Sequence, residues 1–317
     1  MEGIGMTARV SAFARAMHAR NCDCVYCDPL AEKLLSPAEI QEIAASMAQG
    51  IGFFCPGFQG TPEEGLRWIV EHQLAPSPLG RAAFAESELE KSGAGQYLIL
   101  AAGLDSFGLR QPDWALGMEI IELDLPGPSR DKRSRIAAAG LVAPENLHFL
   151  EGDLADVAWL DALRTHPAFD PERISFCSLL GIVYYLKQQD FSALLRQLAK
   201  VLPAGSRVAM DYPARDASAQ FDRQSALAKG AGEAMQAAYT RQEMENLLRD
   251  AGFRVEKDMN PAEITDTYFA PYNRRNPDHP IFAAENVNYC LAERIRAAIL
   301  QNQTQEICPM IYGADFG

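Results

Sequence analysis

Residues 97–126 read YLILAAGLDSFGLRQPDWALGMEIIELDLP, and the fold is decided there. The apolar run 97–104 ends in small, turn-forming residues, and a second run follows at 118–124. Both are far short of the about 20 residues a membrane span needs, so they read as strands of a buried sheet. The same rhythm continues downstream with LHFLEGD (147–153), ISFCSLLG (174–181) and RVAMDYP (207–213). Amphipathic stretches at 128–140, 155–165 and 188–201 lie between the later runs. Strand–helix alternation with runs this apolar predicts an α/β fold, a doubly wound, mostly parallel sheet covered on both faces. FRVEKDM (253–259) and ENVNYCLAERI (285–295) supply two closing strands, which makes the sheet seven-stranded.

Upstream, residues 1–95 read as a helical cap. Val10, Phe13, Ala14 and Met17 share one face of a helix over Thr7–Arg20. Ser36-Pro37-Ala38-Glu39 and Thr61-Pro62-Glu63-Glu64 carry an N-cap, a proline at the first helical position and a glutamate three residues on, the pattern of a capping box. Asp28-Pro29-Leu30 predicts another helix start, and Thr240-Arg241-Gln242-Glu243 opens a late helix that stops at Gly252. Residues 214–238 and 259–285 interrupt the alternation and are expected to form a substrate lid. With neither a repeat nor a low-complexity linker, the chain reads as a single domain, 1–317.

A formal charge of −13 argues against nucleic acid as a partner, since phosphates would be repelled. The opening residues MEGIGMTARV have no basic start and no apolar run, so neither a secretory signal nor a membrane partner is expected. Seven scattered cysteines suit a reducing cytoplasm better than a disulfide framework. Cys22, Cys24 and Cys27 are dense, but a structural zinc site wants four ligands, usually as two spaced pairs. They read as three thiols in a loop, and no metal is expected.

Two elements suit a nucleoside cofactor. Ala101-Ala102-Gly103-Leu104-Asp105 is a turn that lets a ligand approach the backbone. Asp124, at the end of the next strand, can accept the hydroxyls of a ribose. A dinucleotide is disfavoured: Ala101 stands where the first glycine of the phosphate-binding fingerprint belongs, and Asp105 would repel a pyrophosphate. S-adenosylmethionine has no phosphate and carries a sulfonium and an ammonium, which an acidic loop favours.

These motifs, in this order, resemble the leucine carboxyl methyltransferase family. Thr7-Ala8-Arg9 with Asp28-Pro29-Leu30-Ala31 resembles its N-terminal signature, and Arg81 its arginine ahead of the first strand. LILAAGLDSFGLR (98–110), with Arg110, resembles the first motif, and IIELDLP (120–126) with Lys132 the second. Gly152-Asp153-Leu154, GIVYYL (181–186) and GSRVAMDY (205–212) resemble those that follow. The resemblance implies a class I, Rossmann-like methyltransferase fold and S-adenosyl-L-methionine as cofactor. It further implies that Arg81 pairs with the cofactor's carboxylate, that Ala102 and Gly103 face its methionine part, and that Asp124 with Leu125 flanks the ribose. Asp153 and Leu154 would hold the adenine. Where the family usually has a glutamate before the fourth strand's glycine, this chain has Leu180. Asp105 or a loop carbonyl would then have to compensate.

Methyl transfer is an in-line displacement. A carboxylate acceptor is ionised at neutral pH and needs no base, which fits the absence of any evident catalytic dyad. The acceptor expected is therefore a small-molecule or short-peptide carboxylic acid. Tyr185 and Tyr212 are the candidates for positioning it, because strand ends place them near the cleft. The rival readings are a nicotinamide-dependent oxidoreductase and a protein that binds S-adenosylmethionine without turnover. The sequence does not reveal the oligomeric state.

Overall fold

The computed structural model describes residues 3–21, 23–215 and 236–296. Seven strands form one sheet: β1 (Gln96–Leu100), β2 (Glu119–Asp124), β3 (Leu147–Glu151), β4 (Ser175–Leu179), β5 (Arg207–Pro213), β6 (Phe253–Met259) and β7 (Val287–Arg294). Their order is β3-β2-β1-β4-β5-β7-β6. The first five pair in parallel, and β7 runs antiparallel between β5 and β6.

Successive strand residues point to opposite faces, so the near-unbroken apolar runs serve two cores. Tyr97, Ile99 and Ile120 join the core on one face, while Leu98, Leu100, Ile121 and Leu123 join the core on the other. The first core is closed by the cap helices α1 (Met6–Ala19), α2 (Pro37–Gln49) and α5 (Pro76–Ser92), with α3 (Ile51–Phe54) and α4 (Pro62–Ile69) packed beside α2. Phe13, Leu79 and Phe84 pack inward from α1 and α5, and burying each contributes about 1.5–3 kcal/mol. After β1 come α6 (Phe107–Arg110), α7 (Pro126–Ala138), α8 (Ala158–Arg164) and α9 (Gln188–Val201). Then follow α10 (Arg241–Asp250), α11 (Pro261–Ile264) and α12 (Ala270–Arg275). No helix among the described residues is long and apolar enough to cross a membrane.

The capping boxes at Ser36, Thr61 and Thr240 are all formed, each hydroxyl accepting the N–H of the glutamate three residues on. The helix expected after Asp28 is not: the chain makes a single 3-10 turn over Glu32–Leu34. Pro37 disfavours a helical conformation at Ser36, and Ser36 instead starts α2. Asp28 accepts the Ala31 N–H at 3.1 Å, just ahead of that short turn. The expectation of three free thiols also fails, because Cys24 and Cys27 are paired as a disulfide. Cys22 lies outside the described residues.

The segment after α1 depends on His18, which is 2 % exposed. Its Nε2 accepts the Val25 N–H at 2.9 Å, so the ring must be neutral at that nitrogen. Burial pushes its pKa down from 6.5 to about 4, against the pull of Glu71 and Asp23. The unfolded chain therefore binds a proton, as pH falls below 6.5, that the folded chain refuses until about 4. Stability present at neutral pH is lost across that window, by roughly 2–3 kcal/mol between about pH 7 and about pH 4.5. Urea titrations at the two pH values should show this loss, and His18→Gln should remove most of it. An equal loss in the variant would show that other groups carry the acid sensitivity.

Candidate functional site

A cavity of about 730 Å³ opens beyond the carboxyl ends of β1, β2 and β4. Strand order reverses there, between β1 and β4, where sheets of this type bind ligands. Its floor is the 99–106 segment, Asp124 and Leu125 after β2, and Ser178 with Leu180–Ile182 after β4. The cap supplies the opposite wall through Ile4–Ala8, Val10, Ser11 and Arg15 around α1, Met47 of α2, and Ser77, Pro78, Arg81 and Ala82 of α5.

The turn after β1 is built by left-handed backbone. Gly103 has φ 50° and Ala101 has φ 55°. Ala101 has a side chain, so its conformation costs on the order of 1 kcal/mol. The sharp bend turns the Gly103 N–H to the neighbouring strand end, where Asp124 Oδ2 accepts it at 2.7 Å. Asp124 Oδ1 accepts the Leu125 N–H at 2.7 Å. A carboxylate has about four lone-pair positions, so each oxygen retains capacity for a ligand hydroxyl. Burial pushes the Asp124 carboxyl up, and the two N–H donors oppose that rise. Asp105 lines the cavity one turn later, with Oδ1 accepting the Phe107 N–H at 2.8 Å to open α6.

Arg81 reaches the cavity from α5, and its Nη1 stands 3.5 Å from Asp211 Oδ2. Asp211, on β5, is fully buried. It also accepts the Gly181 N–H at 2.6 Å and the Tyr184 hydroxyl at 2.9 Å. Gly181 sits at φ 70°, and a Cβ there would clash with Arg81 Nη1. The guanidinium therefore lies directly over that glycine. Burial works against the charge of Arg81, but Asp211 keeps its pKa above the ordinary value. Burial and the Asp211 charge together push the Tyr184 hydroxyl well up, so it remains protonated at neutral pH.

A second cluster ties the cap to the turn after β1. Arg15 donates to Asp28 Oδ2 at 2.8 Å and to the Leu104 carbonyl at 2.6 Å. Burial opposes ionisation of Asp28, yet Arg15 prevails and holds its carboxyl below the usual value. Beside it the Tyr26 hydroxyl bonds Glu86, and Arg110 of α6 bonds both.

Eight of the residues expected from the sequence meet around this cavity: Arg81, Ala102, Gly103, Asp105, Asp124, Leu125, Leu180 and Tyr185. Asp153 and Leu154 lie beyond its lining, at the end of β3. Asp153 accepts the Ala155 N–H at 2.9 Å, and Leu154 packs on the second core. Tyr212 is misplaced as a cleft residue. Its side chain is fully buried in that core, with the hydroxyl 2.8 Å from Asp258 and 3.1 Å from Asn288. Adjacent strand residues face opposite ways, so with Asp211 facing Arg81, Tyr212 must face away. The lid expectation for 259–285 is not met either. None of those residues lines the cavity, and they pack behind the cap, Phe269 against Gly80 and Arg275 on Asp23. From 214–238, Gln236 lines the cavity, while 216–235 fall outside the described residues. Asp211, Arg15 and Asp28 were not foreseen as site residues, although Asp211 lies inside the quoted GSRVAMDY segment.

A sheet in this order, with a glycine turn closing its first strand, an acid closing its second and a helical cap above, defines a Rossmann-like fold with its cleft at the switch point. The chain belongs to the leucine carboxyl methyltransferase family, which residues 8–199 match. It is 32 % identical over 298 residues to a putative S-adenosyl-L-methionine-dependent methyltransferase, YktD, of Bacillus subtilis, covering 90 % of this chain and 96 % of that protein. A protein described in the same terms from Mycolicibacterium gilvum is 30 % identical over 234 residues, 69 % of this chain and 70 % of its own. Among solved structures, a DUF574 family protein from Streptomyces avermitilis shares the fold with a TM-score of 0.59 at 15 % identity, covering 92 % of this chain and 98 % of its own.

Proposed function

We propose that this methyltransferase takes its methyl group from S-adenosylmethionine and transfers it to a carboxylate oxygen of a small molecule or short peptide acid. The observation carrying the acceptor class is the chemistry of the cavity wall. No histidine or lysine is among its described lining residues. Its carboxylates are already engaged: Asp28 with Arg15, Asp105 with the Phe107 N–H and Asp124 with two backbone N–H groups. An acceptor that needs no base fits such a wall, and a carboxylate is that acceptor.

S-adenosylmethionine supplies the methyl electrophile, and attack in line with the carbon–sulfur bond releases S-adenosylhomocysteine. Asp124 holds the ribose hydroxyls through the acceptor capacity its backbone bonds leave. The Ala102–Gly103 backbone and Asp105 face the positively charged methionine end, and Arg81 takes its carboxylate in a forked pair. Leu125 flanks the ribose beside Asp124, Asp153 and Leu154 at the neighbouring strand end serve the adenine, and Leu180 offers the methionine chain an apolar contact. Tyr185 orients the acceptor. The cap (1–95) excludes water, so rate comes from alignment and dehydration, and cap and sheet act as one domain. The setting proposed is the cytoplasm.

The test is transfer of labelled methyl from S-adenosylmethionine to a panel of carboxylic acids, with the product treated with alkali. Label released as methanol is the expected result, because methyl esters hydrolyse. An alkali-stable product would overturn the carboxylate reading. Tight binding of S-adenosylhomocysteine with no transfer to any member would favour a binding protein without turnover.

A further inference from the structure

The disulfide has no part in the reaction above, yet it sits in a segment anchored to the cavity wall at several points. Cys24 and Cys27 bracket Val25 and Tyr26 and directly precede Asp28. Asp23 is held by Arg275 and Asn276, each at 2.8 Å. The Val25 N–H is held by His18, and the Tyr26 hydroxyl by Glu86 of α5 and Arg110 of α6. Tyr26 and Asp28 both line the cavity. From Asp28 the chain of contacts runs through Arg15 to the Leu104 carbonyl, inside the turn after β1. The cross-link therefore lies two bonded contacts away from the backbone that faces the proposed cofactor.

We propose that Cys24 and Cys27 form a redox-sensitive site whose disulfide state holds Tyr26 and Asp28 in the cavity wall and whose dithiol state loosens them. Cys27 is exposed, so a small dithiol can reach it. A reductant thiolate attacks Cys27 Sγ, and Cys24 Sγ leaves as a thiolate and takes a proton. The reductant's second thiolate then displaces Cys27 and leaves as a disulfide, so two electrons pass to the protein. In a reducing compartment such pairs are transient or sensing rather than structural. Opening the link restores backbone freedom to residues 24–27, which the hydrogen bonds of Tyr26 and Asp28 must then restrain alone. The link to cofactor affinity rests on the proposed cofactor reading, whereas the loosening of the wall does not.

The experiment uses the full chain, oxidised in air or treated with dithiothreitol. Alkylation and peptide mapping count the thiols, hydrogen exchange follows residues 23–31, and calorimetry measures S-adenosylhomocysteine binding. Cys24 and Cys27 should resist alkylation in the oxidised form and react after reduction. Reduction should speed exchange in 23–31 and weaken binding about tenfold, the scale of one charge-assisted hydrogen bond. Cys24→Ser/Cys27→Ser should bind at the weaker level whatever the redox state. Free alkylation of both thiols after oxidation would overturn the proposal, as would equal exchange and equal affinity in both states. If neither form binds S-adenosylhomocysteine while exchange in 23–31 still responds, the cofactor reading has failed and the redox site stands.

Discussion

Asp124→Ala is expected to weaken S-adenosylhomocysteine binding by at least tenfold while the chain stays folded. A hydrogen bond from a ribose hydroxyl to an ionised carboxylate contributes about 1.5–3 kcal/mol, and one such bond corresponds to roughly a tenfold change or more. Two would bring the loss to about a hundredfold or beyond. The substitution also removes the acceptor of the Gly103 and Leu125 N–H groups, so the turn after β1 loses its tie to β2. Asp124→Asn separates the two effects. One amide oxygen can still accept the Gly103 N–H, but the –NH₂ group cannot accept a hydroxyl, and an intermediate affinity is expected. Calorimetry gives the affinities, and circular dichroism checks the fold. Wild-type affinity in Asp124→Ala would mean that the sugar is held elsewhere.

Asp124 and Gly103 were legible because local chemistry marks them. An acid ending one apolar run and a glycine ending another stand out in the sequence at any register. The capping boxes were legible for the same reason, since cap and glutamate lie within one turn. What escaped depended on contacts far apart in the chain. Arg81 meets Asp211 across 130 residues, and Arg15 meets Leu104 across 89. Tyr212 was misjudged because β5 is buried along nearly its whole length. A strand without polar–apolar alternation does not disclose which residues face which side. Its neighbour Asp211 took the cavity side instead. The cysteine pair was missed because spacing alone does not distinguish two thiols from a cross-link. In that case the backbone path between them decides.

The same logic of buried charge gives the largest stability effect, beneath the cavity rather than in it. Lys132 and Glu122 are each nearly inaccessible, and Nζ donates to Glu122 Oε2 at 2.5 Å. Glu122 Oε1 is buried with no hydrogen-bond partner among the described residues, under the α6 turn, where a Cβ on Gly108 would come within 3.2 Å of it. Burial pushes the Glu122 carboxyl up to about 7, even with Lys132 beside it. The folded chain thus keeps this proton to a higher pH than the unfolded chain, whose glutamate titrates near 4.5. The contribution of this group is greatest below that lower value and declines as pH rises to about 7. Lys132→Met removes the ionic partner of this carboxyl and should raise its pKa further, extending the decline above neutral pH. Breaking a buried pair from one side costs about 3–5 kcal/mol, so the variant should be strongly destabilised, and more so at about pH 8.5 than at about pH 6. Glu122→Leu/Lys132→Met removes both charges together and should recover most of the loss, because an apolar pair of similar volume replaces an ion pair at little cost. Denaturant melts of the two variants decide the matter: if the double variant is as unstable as the single, shape rather than charge is what Lys132 contributes.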